Sequence, residues 1–318
     1  MSGKTKGVWL TLLAAACFGA APLIAKFMYQ YDVAVSSVLA WRFLIASILL
    51  WAYIFLFRKD LKIRLRKDQL IMMIVIGGVA HFLTTQLYFS ALLYVPIGVQ
   101  IMIFYTYPFM VNILGVVLFK ERAGKVQTIA LVLAFVGILL TLTLDDFRMN
   151  LIGIVLCFGA AISNAVYLLC LGRKAVMELD SFVIGAYSTV FAGISFFIFS
   201  LSRGELTIDL PLPCWLGIGA LAVFTTSIGA IALSMGIKYI GSAKAAIISV
   251  FEPIEAIVLG ALIFHEVLTG RRIFGIILVL GAIMLINLAV AKKSTNANIA
   301  VCEGEAMETA SLSETETE

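Results

Sequence analysis

The pentapeptide CFGAA occurs twice, at Cys17 to Ala21 and at Cys157 to Ala161, and a longer match follows it. Tyr94 to Leu118 can be laid over Tyr239 to Ile263 without a gap, so that Pro108 falls on Pro253, Gly115 on Gly260 and Glu121 on Glu266. The chain therefore reads as two copies of one unit, residues 1–148 and 149–293, followed by a tail of different composition, residues 294–318. Solenoid and propeller repeats run roughly 20 to 50 residues, so a period near 145 duplicates a whole folding unit.

Composition places that unit in a membrane. Hydrophobic residues make up 62% and charged residues 13%, with a mean hydropathy of +1.07, against roughly 25% charged in soluble chains. Apolar runs of about 20 residues predict ten spans, at 7–28, 34–57, 70–92, 96–118, 125–144, 151–172, 182–202, 213–236, 242–264 and 272–291. Runs of this length are helices, since hydrocarbon offers the backbone no partner outside its own segment. The expected fold is an all-α polytopic membrane protein, five helices per copy.

Basic residues near span ends stay cytoplasmic. With the N-terminus inside, about 17 of the 23 Lys and Arg fall on the cytoplasmic side, so both termini are expected there. An odd number of helices per copy then makes the two halves inverted repeats, an arrangement of many secondary transporters. Position 121 is expected on the cytoplasmic side and position 266 outside. The tail carries six Glu among Ser and Thr with no Lys or Arg, the signature of a disordered acidic segment. Without it the formal balance moves from +4 to about +10, which reads as topology and lipid-headgroup contact, not nucleic-acid binding. Lys4 and Lys6 before an apolar run resemble a signal peptide, but CFGAA recurs within an internal span, so an uncleaved first helix is expected. Cys17, Cys157, Cys170, Cys214 and Cys302 show no metal or redox spacing.

The chain resembles the drug/metabolite transporter superfamily, in its EamA-type branch, across residues 7–291. The resemblance is carried by the paired segments Pro108 to Glu121 and Pro253 to Glu266, by Trp41-Arg42-Phe43 and by Phe251-Glu252-Pro253. It implies ten helices in two inverted halves around a central cavity, transport of small metabolites or amino acids, and no ATP use. The chain also has no GxxxxGK[ST] phosphate loop. The second copy lacks an Arg42 equivalent, with Tyr187 and Ser188 nearby.

Polar residues inside spans are costly and hence candidate functional groups. In the third span, His81, Thr84, Thr85 and Tyr88 share one helical face by their i, i+3, i+4, i+7 spacing, whereas Gln86 projects elsewhere. Tyr105 and Tyr107 before Pro108, with Asn112 beyond it, offer aromatic surface and an amide suited to a zwitterionic or amphipathic metabolite. Arg42 reads as a carboxylate ligand at the cavity mouth or as a snorkelling interfacial residue. Glu252 and Glu255, one turn apart, are expected to face the interior, where they bind a substrate amino group or a coupling proton, or tie their helix to its neighbours. Pro22, Pro108 and Pro253 interrupt backbone hydrogen bonding. Tyr29, Tyr31, Tyr94 and Trp215 read as interfacial aromatics. Glu121 and Glu266 read as local ion-pair partners, and Lys244 as a snorkelling or pairing residue.

With two His, at 81 and 265, and no nucleophile or metal constellation, an intramembrane enzyme is disfavoured. The remaining classes are a secondary transporter and a non-transporting receptor or scaffold. The preferred reading is a multi-pass carrier of the cytoplasmic (inner) membrane, without cofactor, with coupling to protons left open. It exports amino acids or related compounds by alternating access; uptake is the alternative, and monomer and homodimer both stay open.

Overall fold

Pro22 has no amide proton to give to the carbonyl four residues earlier, so the first apolar stretch cannot run as one uninterrupted helix. In the computed structural model it comprises Gly3–Gly19 and Ala21–Met28, meeting at Ala20, with a final 3₁₀ turn at Tyr29–Tyr31. Asp32 ends that turn at a φ of 55°, a left-handed conformation that Asp tolerates better than most residues. The structure describes residues 3–107, 109–111, 113–114, 125–141, 151–240, 245, 248–249, 251–265, 268–285 and 288. Pro108, Asn112, Glu121, Lys244, Glu266 and the acidic tail lie outside them.

We label the helices α1 (Lys4–Tyr31), α2 (Val35–Phe57), α3 (Lys67–Ala91), α4 (Ile97–Phe104), α5 (Lys125–Thr141), α6 (Leu151–Leu171), α7 (Ser181–Ser202), α8 (Leu212–Ile237, continuing to Ile240), α9 (Phe251–Phe264) and α10 (270–285). Among the described residues there is no strand. Among the described residues six helices, α1, α2, α3, α6, α7 and α8, are long and apolar enough to cross a membrane. The described residues of the other four fall in or beside the remaining expected spans. The outer surface is apolar: Ile48, Leu216 and Leu262 are each more than 60% exposed. Water would not tolerate such a surface over the whole molecule, and hydrocarbon does.

The helices of the two copies pair across one another. α2 packs on α7, with Ser36 at Ser200, Phe43 at Phe196, Trp51 at Tyr187 and Tyr53 at Phe182, so the two run antiparallel. α1 packs against the end of α8, with Gly7 at Ile240 and Phe18 at Gly229. In the reciprocal pairing α6 packs against α3 and the turn that follows it, with Gly153 at Val95 of that turn and the Ser163 hydroxyl donating to the Ala80 carbonyl. α4 packs on α9. These contacts depend on small residues, which allow backbones to approach where lipid supplies no hydrophobic drive between helices.

Both α3 and α8 contain a π-helical segment, Ile74–His81 and Leu221–Gly229, at matching places in the two copies. In the second, the Thr226 and Ser227 hydroxyls donate to the carbonyls of Leu221 and Ala222, five residues back. Segments of this kind recur at functional sites.

One end of the bundle carries Arg58, which pairs with Asp60 and Asp180, and Arg66, which pairs with Asp68 and Glu178. At the opposite end Glu205 accepts from Ser36 and from Arg203. Partial burial pushes the Glu205 carboxyl up, and these two donors more than offset it, leaving it below its ordinary range.

Candidate functional site

Two cavities, of about 240 and about 160 Å³, lie at the meeting of α1, α2, α3 and α8, and Arg42, Phe18 and Thr225 line both. The larger adds Phe43, His81, Tyr167, Ser188, Thr189 and Thr226, and reaches Ser181 and Phe182 toward the Arg58 end. The smaller adds Thr84, Thr85, Tyr88, Phe104 and Glu252. Each contains a polar group from either copy.

Arg42 stands on α2 two turns from its start and is 8% exposed. Its Nε donates to Thr226 Oγ1 at 3.1 Å and its Nη2 to Thr225 Oγ1 at 3.0 Å. The guanidinium also lies over the Phe89 ring at 5.0 Å, and Nη1 has no partner among the described residues. The snorkelling reading is thereby corrected: the side chain turns inward because two hydroxyls and an aromatic face receive it there. It forms a wall between the cavities, deeper than a cavity mouth. Tyr29 needs the same correction, its hydroxyl being buried beside Arg42, whereas Tyr31 and Tyr94 are exposed at 40% and 41%.

His81 closes the π segment of α3, with Nδ1 at 3.0 Å from Ser188 Oγ and its ring 5.1 Å from Phe43 and 5.2 Å from Tyr167. It is thus both a lining residue and a hydrogen-bonded one. Thr84, Thr85 and Tyr88 share the smaller cavity. Gln86 lies elsewhere, in a third cavity of about 410 Å³ at the Glu205 end, and donates to Ser90.

Glu252 and Glu255 part company. Glu252 lines the smaller cavity and takes a hydrogen bond from the Tyr105 hydroxyl. Glu255 lines neither central cavity; its carboxylate lies against Gly19 of α1, near Cys17. Tyr105 occupies a turn just after α4, with Tyr107 5.8 Å away. Pro253 is buried in the first turn of α9, where its missing amide costs nothing, and so begins that helix and does not kink it. Pro22 sits next to Ala21, a lining residue.

The reading of single spans missed Thr225 and Thr226, the direct partners of Arg42. A signal existed in composition: Thr225, Thr226 and Ser227 are three consecutive hydroxyl residues inside an apolar span. Phe18, in the repeated CFGAA, and Phe43, in Trp41-Arg42-Phe43, were marked by those motifs but not as cavity residues.

Residues 5–143 and 151–288 each match the EamA-like transporter family. Uncharacterized transporter YyaM of Bacillus subtilis (strain 168) is 26% identical over 88% of this chain and 93% of its own. Uncharacterized transporter YcbK of the same organism is 29% identical over 85% and 88%, and uncharacterized transporter sll1319 of Synechocystis sp. (strain ATCC 27184 / PCC 6803 / Kazusa) is 27% identical over 70% and 68%. A solved crystal structure superposes with a TM-score of 0.62 at 17% identity, covering 90% of this chain and 98% of that one, a likeness of fold.

Proposed function

Given that the chain belongs to the EamA-like transporter family, and is thus a multi-pass membrane transporter and not an enzyme, we propose that it exports a small zwitterionic metabolite, an amino acid or close relative, across the cytoplasmic membrane. The observation that carries this reading is that Arg42 and Glu252 line one cavity without forming an ion pair with each other. A buried cation with a free N–H and a carboxylate across the same space match the two ends of an α-amino acid. Proton coupling through Glu252 belongs to the same reading.

Alternating access follows if the halves are inverted, and the antiparallel packing of α2 on α7 and the reciprocal pairing of α1 with α8 and α6 with α3 support that arrangement. The concentration of Lys and Arg at one end supports cytoplasmic termini. Cysteines introduced at Lys62 and Asp209, in corresponding loops, are expected to react with an impermeant thiol reagent from opposite faces, position 62 from the cytoplasm. Reaction of both from one face would overturn the inverted topology.

Substrate class is tested by thermal shift of purified protein against a metabolite library, since a ligand at 100 times its Kd stabilises by about 2.7 kcal/mol. Zwitterionic amino acids are expected to raise Tm, while matched simple amines and carboxylates do not. Equal shifts from either half-molecule would exclude the two-ended site. With a hit in hand, Glu252→Gln is expected to abolish the pH dependence of flux in folded protein. Counterflow in right-side-out and inverted vesicles decides export against uptake.

A further inference from the structure

The Trp41 indole N–H, on α2, donates to the Thr207 carbonyl at 2.8 Å, in the loop between α7 and α8. The Tyr187 hydroxyl, on α7, donates to the Ile63 carbonyl at 2.9 Å, in the loop between α2 and α3. Residues 41 and 187, like 63 and 207, stand about 145 apart, the period of the duplication. Each contact is therefore the counterpart of the other, made at opposite ends of the bundle and always from one copy to the other. The residue type has changed between copies, and the donor-to-carbonyl bond has not.

The next residue repeats the symmetry. Arg42 reaches Thr225 and Thr226 in the π segment of α8, and Ser188 meets His81 at the end of the π segment of α3. Each aromatic donor thus fixes a loop at one end while its neighbour fixes a polar group in the cavity. Both bonds are formed here. Trp41 is further braced by Trp215 at 5.5 Å and Tyr187 by Trp51 at 5.1 Å, and Thr207 exchanges hydrogen bonds with Ser37.

We propose that Trp41 and Tyr187 are a matched pair of gate-positioning residues. Release of Trp41 from Thr207 opens the central cavities toward the Glu205 end, and release of Tyr187 from Ile63 opens them toward the Arg58 end. This rests on the alternating-access reading above. One hydrogen bond of this kind shifts a two-state equilibrium by roughly two- to tenfold, enough to bias which end opens without unfolding either.

The test places a reporter cysteine at Thr189, which lines the larger cavity, in a background without native cysteines, and measures its rate of reaction with a membrane-impermeant methanethiosulfonate in spheroplasts and in inverted vesicles. Trp41→Phe is expected to raise the rate from the Thr207 face about two- to tenfold and to lower it from the Ile63 face. Tyr187→Phe, which removes only a hydroxyl, is expected to do the reverse, and the double variant to return toward the parent ratio. Reaction from both faces in the parent with no opposite shift in the variants overturns the gate assignment alone. Reaction from one face in every variant overturns alternating access, and the gates with it. Should Trp41→Phe fail to fold, Tyr187→Phe decides the question by itself, because a purely structural bond would not change the ratio of the two rates.

Discussion

Arg42→Gln is expected to cut the ligand-induced thermal shift to about half or less at the same ligand concentration, while leaving the Tm of the empty protein unchanged or raised. The two halves of that result have different origins. A guanidinium that is 8% exposed, with hydroxyls for partners and no ion pair, is held at a desolvation cost. Removing the charge relieves that cost. Thr225 and Thr226 are not orphaned, because both hydroxyls also donate to the Leu221 carbonyl. What is lost is the charge-assisted contact to a substrate carboxylate, on the order of 1.5–3 kcal/mol, or roughly 10- to 150-fold in affinity. A fall in the Tm of the empty protein with ligand binding intact would make Arg42 a structural residue.

Gly77→Ala is expected to be the most damaging single-methyl change in the described residues of α3, and Gly78→Ala beside it nearly silent. A Cβ at Gly77 would lie 2.5 Å from the Ser188 carbonyl oxygen and 2.9 Å from both Ser188 Cα and Phe191 Cβ. Those are backbone and near-backbone atoms of α7 and cannot swing aside, so α3 and α7 must separate. Overpacking of this kind costs about 1–3 kcal/mol, occasionally more, and the separation also strains the contact between His81 and Ser188. At Gly78 the nearest atom is Ser195 Oγ at 3.4 Å. There the added methyl fits, and its lower backbone entropy favours the helix by about 0.5–1 kcal/mol. Thermal unfolding of both variants in detergent checks the contrast; similar Tm values would mean that the α3 to α7 contact is looser than described.

The sorting of polar residues within α3 was legible because it is a matter of angle alone: His81, Thr84, Thr85 and Tyr88 line the two central cavities, and Gln86 lines the third, at the Glu205 end. The duplication, the apolar stretches and the helix break near Pro22 were legible for a similar reason. Each is a local property of chain composition or of a missing amide. Glu252 and Glu255 show where such reasoning stops. They are one turn apart, yet Glu252 meets the cavity and Tyr105, while Glu255 meets Gly19 of α1.

By itself, then, the amino-acid order determined a duplicated, membrane-embedded helical chain and which residues within it were costly enough to need a purpose. Only the tertiary structure decided what those residues meet. Arg42 takes its two hydroxyls from residues 183 and 184 positions away, and Tyr29 turns in beside it and not out to the interface. The reason is physical. In water a helix betrays its buried face by its apolar stripe, but in hydrocarbon the face toward lipid is as apolar as the face toward protein, so periodicity cannot say which neighbour a side chain will find.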